Sequence, residues 1–295
     1  MLSAAKHLDA SKRAWRWSVA LLPAWQRAAV AVLRNTRDIA NIWGYRVSQF
    51  PRALITGATR RVGAEIARQL HTDHELLLHA RHSRADAETL AAQFNAMRAH
   101  SAQILTGELG DEPARARLAD AVGTAPLDLL VFNASRYARS DLAAAPELRN
   151  AELRAFLEVN LVATWDLALR LRPLLAAAAH AHGDAAIVVI LDVYAQRPLP
   201  GYEAYSISRA AGAMLVQTLA RAFGSEGIRV NGVAPGTVLW AEGAQRGETD
   251  ALLARGTALG HIGSPADVAQ AVRYLASARY VTGSVLPVDG GRSTH

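Results

Sequence analysis

The chain has 295 residues, contains no cysteine and is 51% hydrophobic, which excludes a disulfide framework and a thiolate metal site and allows one large domain with a substantial core. Residues 1–46 carry eight Lys or Arg against two Asp, which accounts for the whole net charge of +6, whereas residues 47–295 carry 24 Arg against 24 acids. The charge of the main domain therefore gives no indication of nucleic-acid binding.

Residues 1–46 form a basic, Trp-rich N-terminal extension, and we expect residues 47–295 to form the main domain. The stretch "RAWRWSVALLPAWQRAAVAVL" predicts an amphipathic helical extension broken near Pro23. Such a helix suits contact with a membrane surface. A helix packed on a partner subunit, or residues upstream of the true start, are the favoured alternatives. No apolar run reaches the roughly 20 residues that span a bilayer, and no clear signal-peptide cleavage site follows, so the sequence predicts a cytoplasmic protein.

From residue 52 onward, short apolar runs alternate with helical stretches. Buried strands are predicted at 52–56, 75–79, 102–105, 127–132, 185–191, 228–233 and 284–288. Helices are predicted at 60–71, 85–99, 151–182, 203–226 and 265–277. Near-continuous apolar strands separated by helices are typical of a parallel sheet covered on both faces. The predicted fold class is α/β, with a single doubly wound, seven-stranded parallel sheet of Rossmann type.

The first strand is followed by a glycine-containing turn, "LITGATRRVG", which enters a helix near Arg60. Gly57 and Gly63 would let the backbone approach a pyrophosphate on the helix N-terminus. A simple tight turn explains these glycines equally well.

The second strand ends in "LLLHARHSR", with no acid to bind a ribose 2′-hydroxyl. His79, Arg81, His82 and Ser83 instead suit a 2′-phosphate, which predicts NADPH as the cofactor. A solvated basic loop is the alternative.

The strand "AAIVVIL" is followed directly by Asp192, and the helix after it carries Tyr205 and Arg209. Ligands of such sheets bind at the carboxyl ends of the strands, so Asp192 is expected to face the site. The histidines of "HAH" (180–182) are two residues apart and do not share a helix face, so no metal site is predicted.

The motifs "TGATRRVG" (56–63), "FNAS" (132–135), "RVNGVAPG" (229–236) and "YVTGSVLPVDGG" (280–291) resemble those of the short-chain dehydrogenase/reductase family over residues 52–292. The resemblance implies a catalytic set of Asn160, Asp192, Tyr205 and Arg209. It also implies a homo-oligomer, with a tetramer expected, and the helices at 151–182 and 203–226 carry apolar residues on more than one face, as an oligomer requires.

Three features resemble the pteridine reductase branch of that family: Arg61 in place of a central glycine, "HARHS" (79–83), and Asp192 thirteen residues before Tyr205, where most members have serine. The implied function is transfer of a hydride from NADPH to a C=N bond of a pterin, a dihydropteridine or a dihydrofolate-like molecule. In that branch the residue at 61 reaches cofactor and pterin, and the residue at 137 stacks on the pterin. The substrate-binding residues implied are Arg61, Ser135, Tyr137, Asp192 and Tyr205.

The cofactor-binding set that the resemblance implies follows the turns at the strand ends. It comprises Gly57, Arg60, Arg61, Val62, Gly63, His79, Arg81, His82, Ser83, Glu108, Leu109, Asn133, Ala134, Ser135, Tyr205, Arg209, Pro235, Gly236 and Thr237.

Arg209 stands where the family has lysine, and every cation after residue 46 is arginine. Arginine can bind a ribose and lower a tyrosine pKa, but it cannot pass on a proton at neutral pH. Two other functions stay open: a reductase of another carbonyl or imine, and a catalytically weak NADP(H)-binding sensor or partner subunit.

Overall fold

The computed structural model describes residues 50–238 and 255–294, so the predicted N-terminal extension lies outside the described residues. One parallel sheet has the strand order β3-β2-β1-β4-β5-β6-β7. The strands are β1 (Arg52–Thr56), β2 (Glu75–Ala80), β3 (Ala102–Thr106), β4 (Leu129–Phe132), β5 (Ala185–Ile190), β6 (Ile228–Pro235) and β7 (Val285–Val288). The strand order reverses between β1 and β4, and this confirms the predicted doubly wound fold.

Helices cover both faces of the sheet, and the strands send alternate side chains to each face. The helices are α1 (Arg61–Leu70), α2 (Arg84–Met97), α3 (Glu112–Val122), α4 (Pro146–Leu157), α5 (Ala163–His182), α6 (Glu203–Phe223) and α7 (Pro265–Ser277). Helices α1, α2 and α7 pack on Ile55 and Val188, whereas α3, α5 and α6 pack on Leu54 and Ile187. Among the described residues, no helix combines the length and the apolar character that crossing a membrane requires.

The structure corrects two details of the prediction. The helix predicted at 151–182 begins at Pro146 and is interrupted by a π-helical turn, Glu158–Val162, between α4 and α5. Strands β3 and β7 are not buried throughout, because they are the two edges of the sheet and several of their side chains reach solvent. A run of apolar letters does not distinguish an edge strand from a central one.

Candidate active site

The turn after β1 brings two stretches of backbone into close contact. Gly57 has a φ of +63°, a conformation that glycine adopts without strain. A Cβ at Gly63 would lie 2.0 Å from the Gly57 carbonyl oxygen. Asn133, after β4, braces the turn by donating from its Nδ2 to the Thr56 and Gly57 carbonyls (3.1 and 2.9 Å). The two glycines thus leave the start of α1 open to a phosphate.

The first residue of α1 is strained. Arg61 has a φ of +52°, in the left-handed region that non-glycine residues rarely occupy. Its exposed side chain starts from the turn itself, next to Arg60, which pairs with Asp86 of α2. Strain of this kind clusters at functional sites.

His79, at the end of β2, supports the turn rather than presenting a charge. Its side chain is buried, its Nδ1 accepts from the Gly57 N–H (3.2 Å), and its Nε2 lies 3.0 Å from the Gly107 carbonyl oxygen. Burial lowers the pKa of His79, so the neutral ring, with its proton on Nε2, satisfies both contacts.

A cleft of about 360 Å³ opens beside this turn at the carboxyl ends of β1, β2 and β3. Its wall includes Gly57, His79, Arg81, Glu108, Leu109 and Ser135. Arg81 forms an ion pair with Glu108, His82 is exposed, and the Ser83 hydroxyl lies 2.7 Å from that of Thr59. Of the predicted 2′-phosphate residues, His79 and Arg81 therefore line the cleft, and His82 and Ser83 follow them in the chain.

Asp192 and Tyr205 meet at the carboxyl end of β5. The Tyr205 hydroxyl donates to Asp192 Oδ2 at 2.6 Å, and the Tyr194 N–H holds the other oxygen at 3.0 Å. Burial raises the pKa of Asp192, although its hydrogen bonds and the charges of Arg209 and Arg292 act in the opposite direction. Burial also raises the pKa of Tyr205, while Arg209 lowers it and Asp192 adds to the rise. Tyr205 is therefore protonated at neutral pH.

Arg209 lies under the Tyr205 ring, one helical turn along α6. Its Cζ is 4.9 Å from the ring centroid, and its Nη1 donates to the Ile190 carbonyl at 3.3 Å. The side chain is buried, and its Nε has no hydrogen-bond partner among the residues that the structure describes. A buried guanidinium with an unused donor indicates a position prepared for a ligand that carries acceptors.

The π-helical turn carries Asn160 into the site. Its amide exchanges hydrogen bonds with the backbone of Arg136, at 2.7 Å to the N–H and 3.1 Å to the carbonyl, and donates to Ser208 Oγ at 2.9 Å. Asn160 thereby ties the loop after β4 to α6, next to Tyr205. Single π-helical turns are frequently found at functional sites.

Three tyrosines form the outer wall of the site. Tyr137 stacks on Tyr202 with ring centroids 4.9 Å apart, and its ring meets that of Tyr205 edge-on, also at 4.9 Å. Half of Tyr137 is exposed. A half-exposed aromatic ring in contact with the ring of Tyr205 offers a surface for a planar ligand.

The remaining predicted residues occupy the same edge of the sheet. Val62 packs partly into the core, Ala134 donates its N–H to Thr56 Oγ1 at 3.1 Å, and Pro235 ends β6. Gly236 lies against Asp289, where a Cβ would be 2.8 Å from the Asp289 Cα, and the Thr237 carbonyl accepts from the Gly263 N–H at 3.0 Å. The fold thus assembles all the predicted strand-end residues on one side.

Several residues near the site were not predicted. Thr56, Ser208 and Tyr202 make the contacts given above, and the Arg292 guanidinium donates to the Tyr194 hydroxyl at 3.2 Å. Ser208 and Tyr202 are each three positions from Tyr205, so the helical repeat could have indicated that they lie on the same side of the helix. Arg292 comes from the far end of the chain, and no local pattern connects it with Asp192.

The site fits a nicotinamide dinucleotide: it combines a turn that added Cβ atoms would obstruct, an adjoining cleft and a buried cation with an unused donor. In the ranges 50–238 and 255–294, no group of three or more His, Cys, Asp or Glu residues is placed to hold a metal ion.

Comparison with known proteins agrees with this arrangement. A family model described as enoyl-(acyl carrier protein) reductase matches residues 57–293. Ketoacyl reductase 2 of the granaticin polyketide synthase, from Streptomyces violaceoruber, is 32% identical over 82% of this chain and 95% of its own length. Pteridine reductase 1 from Leishmania tarentolae is 29% identical over 82% of this chain and 96% of its own. The solved active-site complex of Pseudomonas aeruginosa RhlG with NADP is 28% identical, covers 83% of this chain and 98% of that one, and has a TM-score of 0.75.

Proposed function

Because this chain belongs to the short-chain dehydrogenase/reductase family and is a reductase with a nicotinamide cofactor, we propose that it is an NADPH-dependent reductase of a pterin C=N bond. The observation that carries the proposal is the 2.6 Å hydrogen bond from Tyr205 to the carboxylate of Asp192. The dihydropteridine or dihydrofolate-like substrate binds beside this pair, next to the half-exposed ring of Tyr137.

Asp192 favours a nitrogen heterocycle over a ketone. A serine at this position would hold a carbonyl oxygen by donating to it, whereas a carboxylate accepts N–H bonds, as from the amino edge of a pterin, and repels a carbonyl oxygen. A protonated carboxyl can also donate, and burial moves the pKa of Asp192 toward that form. The half-exposed ring of Tyr137 adds an aromatic surface for a planar ring.

Reduction of a C=N bond adds a hydride to carbon and a proton to nitrogen. A bound nicotinamide cofactor supplies the hydride. Tyr205 holds the proton at its hydroxyl, since burial keeps its pKa above the ordinary range, and Asp192 can replace that proton through their shared hydrogen bond. Arg209 supplies a permanent charge and hydrogen-bond donors, and the proton therefore travels through Asp192 and water rather than through Arg209.

NADPH is the proposed cofactor because Arg81 lines the cleft where the ribose would lie, and His82 and Ser83 follow it directly in the chain. Gly57 and Gly63 would leave room for the pyrophosphate, Arg60 and Arg61 at the same turn would supply charge to it, and Arg209 would bond the nicotinamide ribose.

A second candidate is reduction of a 3-oxoacyl thioester. The similarity to a ketoacyl reductase favours it, since Tyr205 would serve a ketone equally well. A third, of a different class, is an NADP(H)-binding sensor or partner subunit, for which Arg209 in place of lysine is the argument.

The test is NADPH oxidation with a panel of dihydropterins, dihydrofolate, an acetoacetyl thioester and simple ketones. We expect turnover of dihydropterins, and Tyr205→Phe should lower it about 10²- to 10⁴-fold while weakening NADPH binding far less. Asp192→Ser should lose pterin turnover and gain ketone turnover.

Two other results would replace the proposal. Turnover of the thioester alone would favour the second candidate. The sensor would be favoured if the protein binds NADPH but reduces no substrate of the panel, and if Arg209→Lys also reduces none.

A further inference from the structure

The ion pair between Arg81 and Glu108 connects the ends of β2 and β3 inside the cofactor cleft. Glu108 also accepts the Gly110 N–H at 3.0 Å, which fixes the position of its carboxylate. The two side chains are 59% and 36% exposed. The cation best placed to meet a 2′-phosphate therefore already has a negative partner.

Other acids of this region do not occupy the same position. Asp111 and Glu158 also line the cleft, but Asp111 caps α3 through the Ala114 N–H (3.0 Å), and Glu158 pairs with the buried Arg115 at 2.7 Å. Glu108 is thus the lining acid that lies against Arg81.

We propose, on the basis of the NADPH-dependent function above, that Glu108 sets the cofactor selectivity by competing with the 2′-phosphate of NADPH for Arg81. A phosphate monoester carries close to two negative charges, and a half-exposed ion pair is weak, so the phosphate displaces the carboxylate. The displaced Glu108 stays tethered to Gly110, where it repels the phosphate. NADH leaves the ion pair intact and meets no such repulsion. Glu108 therefore weakens the binding of NADPH but not that of NADH, so the protein's preference for NADPH is smaller than it would be without this carboxylate.

The test uses Glu108→Gln, which removes the charge and keeps an oxygen for the Gly110 N–H. Adenosine 2′,5′-bisphosphate and 5′-AMP serve as probes in titration calorimetry, because they differ only in the 2′-phosphate. We expect the bisphosphate to bind about two- to fivefold tighter to the variant, and 5′-AMP to change by less than about 1.5-fold. The gain should shrink as salt is added.

Glu88→Gln is the matched control. Glu88 pairs with Arg84 at 2.8 Å on α2 and does not line the cleft, so the same substitution should change neither affinity.

Two results would overturn the proposal: equal weakening of both probes in Glu108→Gln, which would mean that Glu108 only holds the loop or the adenine, and an unchanged affinity for the bisphosphate. Dihydropterin turnover is measured separately with NADPH and NADH. If the selectivity proposal fails while turnover persists, the reductase function stands. If Glu108→Gln gains affinity and no pterin is reduced, only the pterin proposal fails.

Discussion

At the scale of single residues, the buried hydroxyl of Tyr205 donates a hydrogen bond to the carboxyl group of Asp192. The pKa of Asp192 is raised by burial, so the folded protein holds that proton more tightly than the unfolded chain does. Ionising Asp192 in the folded protein therefore lowers the free energy of unfolding. This loss is absent below the pKa of the unfolded chain, about 3.9, and appears as the pH rises through the folded pKa.

Asp192→Asn is therefore expected to stabilise the protein at neutral and higher pH while lowering turnover. If about 1 kcal/mol is recovered, the melting temperature at pH 8 should rise by about 2–4 °C, with no gain near pH 4. Calorimetric scans at the two pH values measure this difference. An equal gain at both would show that ionisation of Asp192 has no part in it.

Arg209 lowers the pKa of both Tyr205 and Asp192 by its charge. Arg209→Met removes that charge with a side chain of similar length, so the pH–rate profile should move to higher pH, and loss of a charge-assisted bond to the ribose should weaken NADPH binding by about 10- to 150-fold. Arg209→Lys keeps the charge, and its profile should stay in place. A lysine variant whose profile moves as far as that of the methionine variant would contradict this role.

The convergence of Asp192, Tyr205 and Arg209 could be predicted, since each follows from its position along a strand or helix. The hydrogen-bond and ion-pair partners of other site residues could not be predicted. His79 was predicted among the phosphate-binding residues, but burial makes it a neutral support for Gly57, and the pairing of Arg81 with Glu108 joins two strand ends that are 27 positions apart in sequence. Such contacts depend on the register between strands rather than on local pattern.

At the scale of secondary-structure elements, the β1–α1 turn and the π-helical turn shape the site. The turn was predictable from its glycines. The π-helical turn was not, because one extra residue within a helix leaves an apolar pattern that still resembles a continuous helix. Asn160 was placed in the site by resemblance, and the turn explains how it reaches Arg136 and Ser208.

Gly63→Ala tests the turn. The new Cβ would lie 2.0 Å from a backbone oxygen, which cannot move aside as a side chain can, so we expect loss of nucleotide binding together with a lower melting temperature. Gly224→Ala is the control: its φ is −57°, nothing lies within 4 Å of the added Cβ, and stability should rise by about 0.4–1 kcal/mol. If the two variants bound the nucleotide with equal affinity, the close contact between Gly63 and the Gly57 carbonyl oxygen would be contradicted.

At the scale of the whole molecule, the parallel sheet could be predicted because its central strands are long apolar runs. The edges could not, since the polar residues and proline that β3 and β7 contain also occur in the central strand β6. The predicted homo-oligomer remains a proposal. It is supported by apolar side chains that stay exposed along two helices, Val162, Trp165 and Leu169 around the start of α5, and Ile207 and Met214 on α6.

We expect light scattering to give a mass of more than one chain for the natural protein. Trp165→Glu combined with Met214→Glu places charges on both exposed stripes and should give a smaller species with little change in melting temperature, because neither side chain is buried within the chain. A natural protein that scatters as a monomer would refute the oligomer.

Because position 209 holds arginine rather than lysine, the cation under Tyr205 reacts with different chemical reagents. The only lysines in the chain are Lys6 and Lys12, so succinimidyl esters and amine cross-linkers find no side-chain amine in residues 47–295. Dyes or solid supports attached through amines would sit on the N-terminal extension and leave Arg209 intact, whereas relatives with lysine at this position can lose their active-site cation to the same chemistry. Guanidinium-directed dicarbonyls are the reagents that would inactivate this protein, and a nucleotide bound over Arg209 should protect it.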